Sequence, residues 1–181
     1  MKQRNIALIG FRATGKSTVG EILALKLGRS FIDMDRRLVQ DAGRDVASWV
    51  EQHGWGSFRR AESGLLEVIR QREGLVVATG GGIVLDPLNR QTLREDFFTV
   101  WLKATQQTIY ARLSSDPDSP LTRPALSCLP PGEEIGKILS ERDPLYSQVA
   151  NIVIDTEGKP PVQIAEEIAA LSRQCTGFTG F

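Results

Sequence analysis

The octet Gly10-Phe11-Arg12-Ala13-Thr14-Gly15-Lys16-Ser17 is the stretch of this chain best equipped for chemistry. Its bounding glycines let the backbone curl so that successive N–H groups point into one hollow, and a helix start there adds unpaired donors and a positive dipole end. Such a concavity suits a di- or triphosphate. Lys16 can reach the β- and γ-phosphates as a point charge, and the Ser17 hydroxyl can ligate Mg²⁺. Ala13, Thr14, Gly15 and Thr18 complete the candidate cradle. The flanks agree with this reading. Asn5-Ile6-Ala7-Leu8-Ile9 before the loop is a buried-strand run, and the residues after it are apolar at 19, 22, 23 and 27, a helical stripe. The chain is expected to bind ATP or GTP.

Two further short segments carry chemistry-bearing residues where strands are expected to end. Asp33-Met34-Asp35 follows the brief strand Ser30-Phe31-Ile32-Asp33. On an extended chain the two aspartates alternate onto one side, where one carboxylate could face Mg²⁺ and the other an acceptor hydroxyl. The alternative makes Asp35 a helix N-cap and Asp33 a surface acid. Thr79-Gly80-Gly81-Gly82 follows the apolar run Leu75-Val76-Val77-Ala78, and it removes every side chain from a place where a ligand could lie against backbone N–H groups. Phe58-Arg59-Arg60-Ala61-Glu62 sits on a predicted helix, where Arg59 and Glu62 by themselves read as a surface pair. Arg123 lies in a polar, proline-broken loop, and Arg142 in Arg142-Asp143-Pro144-Leu145-Tyr146; a loop arginine can complete charge stabilisation once substrates are bound.

The elements that must position these residues alternate between strand and helix, which predicts an α/β fold with a mostly parallel sheet covered on both faces. Ligands then bind beyond the carboxyl ends of the strands. Helices are expected after the phosphate loop to Gly28, over 36–42 closed by Gly43, over 46–52 capped by Asp45 and closed by His53-Gly54, and over 56–72. More follow from Pro87 to about Glu95, over 105–113, over 132–149 with an interruption near Pro144, and from Pro161 to about Gln174. Trp49, Trp55 and Trp101 read as packing residues. At 181 residues, 41% hydrophobic and 24% charged, the chain has the proportions of one globular domain. A formal net charge of zero and a pI near 6.6 argue against a nucleic-acid partner. No apolar run approaches a membrane span and no signal peptide precedes the first strand, so a cytoplasmic protein without membrane association is expected. Cys128 and Cys175 have no metal-ligand spacing and are expected to be reduced thiols.

The ordered set Gly10-x-x-x-x-Gly15-Lys16-Ser17-Thr18, Asp33-x-Asp35, Phe58-Arg59-x-x-Glu62, Gly80-Gly81-Gly82, Arg123-Pro124 and Arg142-x-Pro144-Leu145-Tyr146 resembles shikimate kinases, and the resemblance spans nearly the whole chain. It implies a three-layer P-loop fold like that of nucleoside monophosphate kinases, with a five-stranded parallel sheet in the order 2-3-1-4-5. One kinase domain over 1–175 is implied, with a mobile lid at about 114–127, an acceptor-binding helical segment at about 34–62 and a tail at 176–181. The implied activity is transfer of the ATP γ-phosphate to the 3-hydroxyl of shikimate by a monomer. Asp35, Arg59, Gly80, Gly81, Gly82 and Arg142 would line the acceptor, with Asp35 as base and the two arginines on its carboxylate. Ser17 would ligate Mg²⁺ directly and Asp33 through a water. Lys16 and Arg123 would act on the phosphates, and Lys159 on the nucleotide beside Asp155-Thr156. The chain departs from the family's usual pattern in Ala13, where another glycine is usual, in Gly54-Trp55-Gly56-Ser57 before Phe58-Arg59, and in a longer, more acidic lid carrying Asp116 and Asp118. The competing readings are a kinase for another hydroxy-acid such as gluconate, and a non-catalytic nucleotide-binding regulator.

Overall fold

The computed structural model describes residues 4–115 and 129–176. Strand β1 (Asn5–Ile9) is buried along its whole length, as a strand covered on both faces must be. Helix α1 (Lys16–Leu27) follows, closed by Gly28 in the left-handed conformation, then β2 (Ser30–Asp33), α2 (Met34–Ala42) and α3 (Val46–Arg70). After β3 (Leu75–Ala78) come a 3-10 turn at Ile83–Leu85, α4 (Pro87–Asp96), β4 (Phe97–Lys103) and α5 (Gln106–Ser115). Helix α6 (Pro131–Val149), β5 (Ile152–Asp155) and α7 (Pro161–Thr176) end the described chain.

All pairings are parallel and the sheet order is β2-β3-β1-β4-β5, as the resemblance implies. Strand alternation divides the core. Ile6 and Leu8 face a cluster containing Val19 and Leu23 of α1 and Ile164 and Ile168 of α7, while Ala7 and Ile9 face Leu66 of α3, Leu93 of α4 and Tyr146 of α6. The neighbours β1 and β3 send their crossovers in opposite directions, α1 over one face and α4 over the other. Their carboxyl ends therefore form the crevice at which α/β sheets bind ligands. Both glycine-rich segments leave the sheet there. Among the described residues, no helix is long and apolar enough to cross a membrane.

Several sequence expectations need correction. Asp33 and Asp35 do not alternate on an extended chain: Asp33 is the N-cap of α2, its side chain accepting from the Arg36 amide, and Asp35 already lies in the first helical turn. The N-cap role falls to Asp33, not to Asp35. Pro144 does not interrupt α6, which continues through it. Ser114 and Ser115, placed in the lid by their polarity, end α5, and Thr176, placed in the tail, ends α7. The rest of the lid to 127, with Arg123, and 177–181 of the tail lie outside the described residues. The two helices expected over 46–72 form one run with a break, Gly54 at φ 72 and ψ 162, a conformation suited to glycine.

Candidate active site

The phosphate loop takes the shape its glycines permit. Gly10 (φ 137) and Gly15 (φ 91) both adopt positive φ, and a Cβ on Gly10 would overlap the Leu102 carbonyl. Ala13 also has positive φ (61), so the residue standing where another glycine is usual holds a left-handed conformation that costs a side chain about 1–2 kcal/mol. Lys16 is buried and its Nζ donates to the carbonyls of Gly10 (2.9 Å) and Phe11 (2.6 Å). Thr14 Oγ1 donates to the same Phe11 carbonyl at 2.8 Å. The Ser17 hydroxyl donates to Asp33 Oδ2 at 2.5 Å, so hydroxyl and carboxylate converge at the mouth of the loop. A hard-oxygen pair of this kind fits Mg²⁺, which takes few protein ligands and fills its shell with phosphate and water oxygens.

Beside this loop opens a cavity of about 360 Å³, within the range of small-molecule sites. Its walls bring together Ser17, Asp33, Asp35, Arg59, Gly80–Gly82 and Arg142, residues contributed by five separate segments. Two of the three glycines are held to a hydrogen side chain by their neighbours. A Cβ on Gly80 would overlap Glu62 Oε1 and come within 2.8 Å of Asp35 Oδ1, and one on Gly82 would overlap the Arg59 guanidinium. Gly80 and Gly82 let Asp35, Glu62 and Arg59 close onto one turn of backbone. Arg142 donates to the Gly81 carbonyl at 3.1 Å.

Arg59 and Glu62 are not the surface pair that their spacing suggests. Glu62 is 1% exposed and ion-paired with Arg59, whose guanidinium lies 5.0 Å from the Trp55 ring. Trp55 therefore lines the cavity and braces an arginine, which corrects its reading as packing alone. Trp49 packs edge-on against Phe58, and Trp101 meets Tyr146 with its ring tilted by 33°, both as packing residues. Glu62 Oε1 is buried without a hydrogen-bond partner. Burial, reinforced by Asp35 and opposed by Arg59 and Arg142, pushes this carboxyl from 4.5 up to about 7. The folded state thus holds a proton that the unfolded chain releases, so Glu62 contributes stability that is present below pH 4.5 and lost as pH rises through about 7. The melting temperature of the native protein relative to Glu62→Gln is expected to fall across that window and flatten above it. A difference independent of pH would place the carboxyl in an ordinary solvated setting.

Three arginines of the site region were not foreseen. Arg12 lines the cavity and pairs with buried Glu134 of α6 at 2.7 Å, tying the phosphate loop to that helix. Arg36 also lines it and pairs with Glu21 at 2.6 Å. Arg112 of α5 donates to the Ala13 carbonyl at 3.1 Å and to Thr156 Oγ1 at 3.5 Å, joining the loop to the segment after β5. Lys159, expected at the nucleotide, has its ammonium 2.9 Å from Glu167 of α7, and it does not line the cavity.

Comparison with known proteins agrees with this geometry. A family model described as "Shikimate kinase" matches residues 12–172. A shikimate kinase of Nitratidesulfovibrio vulgaris is 43% identical over 167 residues, covering 92% of this chain and 94% of that protein. One from Sulfurihydrogenibium is 39% identical over 165 residues, covering 91% and 95%. The structure of Acinetobacter baumannii shikimate kinase in complex with shikimate superposes with a TM-score of 0.88 at 31% identity, over 98% of this chain and 96% of that one. With its phosphate loop, its acceptor-sized cavity and these relatives, the chain belongs to the shikimate kinase family.

Proposed function

We propose that this kinase transfers the γ-phosphate of ATP to the 3-hydroxyl of shikimate, with Asp35 as base and Arg59 and Arg142 on the acceptor carboxylate. The observation that carries this reading is the cavity itself, which brings Asp35, Arg59 and Arg142 together with a glycine wall and with Ser17 and Asp33. The acceptor oxygen forms its bond to the γ-phosphorus as the bond from phosphorus to the β–γ bridging oxygen breaks, and ADP leaves. The hydroxyl proton passes to Asp35. In a loose transition state this transfer comes late, so Asp35 first orients the hydroxyl and then accepts its proton. Lys16 and Arg123 neutralise charge on the phosphoryl oxygens. Ser17, directly, and Asp33, through a water, would hold Mg²⁺, which supplies further charge neutralisation on the phosphates. Arg112 supports the nucleotide side of the loop through the Ala13 carbonyl, and Lys159 meets the nucleotide from the segment after β5.

A coupled assay of ADP release against a panel of hydroxy-acids tests the assignment. Turnover should depend on shikimate, with gluconate and other acyclic acids giving little above background. Preference for gluconate would move the chain to another acceptor, and ADP release indifferent to any acceptor would remove the kinase reading.

A further inference from the structure

Gly81 is the residue at which the phosphate loop and the acceptor wall meet. A Cβ placed on it would lie 3.4 Å from the Gly10 carbonyl oxygen and 3.5 Å from the Arg12 amide nitrogen. Its own carbonyl accepts twice from α6, from Arg142 Nη1 at 3.1 Å and from the Tyr146 hydroxyl. Arg142 and Tyr146 are one helical turn apart and share a face of α6. Both lone pairs of the carbonyl are thus occupied.

The Tyr146 hydroxyl is placed at some cost. The side chain is fully buried at 0% exposure, with its ring 5.6 Å from that of Trp101, and a phenylalanine would fill the same space without taking a polar group out of water. Burial pushes the phenol up to about 12, with Arg142 the main opposing influence, so the hydroxyl stays a neutral donor. Charged groups reach it from α6 as Arg142 and Asp143 and from α3 as Arg59. The packing of the ring against Trp101 holds the hydroxyl on the Gly81 carbonyl. That carbonyl is in turn where one edge of the Arg142 guanidinium is anchored, while the residue lines the cavity.

We propose that Tyr146 is a positioning residue for the acceptor: its hydroxyl holds the Gly81 carbonyl, which fixes the edge of Arg142 and so the angle at which that arginine meets the acceptor carboxylate. This rests on the acceptor site proposed above. The residue touches no reacting atom. A role confined to core stability would act on both substrates alike, whereas a role through Arg142 requires that arginine to be present.

The test is Tyr146→Phe, made in the native protein and in Arg142→Ala, with kcat/KM measured for shikimate and for ATP in all four proteins together with their melting temperatures. In the native background Tyr146→Phe should lower kcat/KM for shikimate by about 2- to 12-fold, the effect of one hydrogen bond between neutral groups, through KM rather than kcat. The KM for ATP should stay near its native value. In the Arg142→Ala background the same substitution should change kcat/KM for shikimate little. An unchanged shikimate KM, parallel losses for both substrates with an early melt, or a full effect without Arg142 would each overturn the proposal. Failure of the acceptor reading looks different, because the native protein would then show no shikimate-dependent turnover at all.

Discussion

Replacing Asp35 by asparagine should lower kcat by about 10²- to 10⁴-fold, the usual contribution of a positioned general base, while ATP still binds almost as in the native protein. The substitution is nearly isosteric. It leaves the first turn of α2 capped by Asp33 and costs the helix the interaction of one acid with its dipole end, about 0.3–1 kcal/mol. In the proposed site the nucleotide is held by the amides and lysine of another segment, so its binding would not depend on the charge at position 35. Asparagine can still accept from or donate to the acceptor hydroxyls, and for that reason the shikimate KM should change less than kcat. Calorimetric titration with ADP and the steady-state assay together check this. Comparable loss of nucleotide binding and of turnover would make Asp35 a structural residue of α2 and leave the reaction without its base.

The parts of this fold that were legible in the sequence are those set by local pattern. Continuous apolar runs marked β1 and β3 at Asn5–Ile9 and Leu75–Ala78, because strands buried on both faces admit few polar residues. Asp45, Asp86-Pro87, Gly28 and Gly43 marked helix ends through capping chemistry that acts over three or four residues. The same local reasoning misplaced Asp35. An Asp-x-Asp spacing looks alike in a strand and at a helix start, and the choice was made by Asp33 capping α2 as soon as β2 ended.

What stayed hidden was set by contacts between distant segments. Nothing about Glu62 in its own stretch distinguishes it from a solvated helix acid. It is buried because a residue with no side chain, Gly80, comes up against it from the far end of β3. Arg12 occupies a position of the phosphate loop where the motif accepts any residue, and its partner Glu134 lies more than a hundred residues away. Arg112 reads as an ordinary surface arginine of α5 until the loop after β5 is folded beside it. In each case the side chain has a commonplace explanation in one dimension, and only the packing of α3, α5 and α6 around the sheet end gives it a partner.

Replacing Lys16 by alanine should damage both halves of the reaction, and this separates it from Asp35. In the structure the ammonium is buried and bonded to the Gly10 and Phe11 carbonyls, so it braces the loop as well as standing where phosphate oxygens would lie. A charge-assisted hydrogen bond to phosphate contributes about 1.5–3 kcal/mol, enough to weaken ATP binding by roughly 10- to 150-fold. Its neutralisation of the transferring group should cost a further ~10²- to 10³-fold in kcat, as for the removal of one transition-state donor. The loop should loosen too, although Thr14 Oγ1 still serves the Phe11 carbonyl, so the melting temperature should fall modestly and not collapse. Lys16→Met, which keeps the apolar stem, isolates the charge: it should recover much of the lost stability and little of the lost turnover. Unchanged turnover in both variants would show that the hollow before α1 is not where the triphosphate is held. The pairing of Asp35 with an acceptor next to that hollow would then lose its chemical meaning, since a base is useful only within reach of the phosphoryl group it helps to accept.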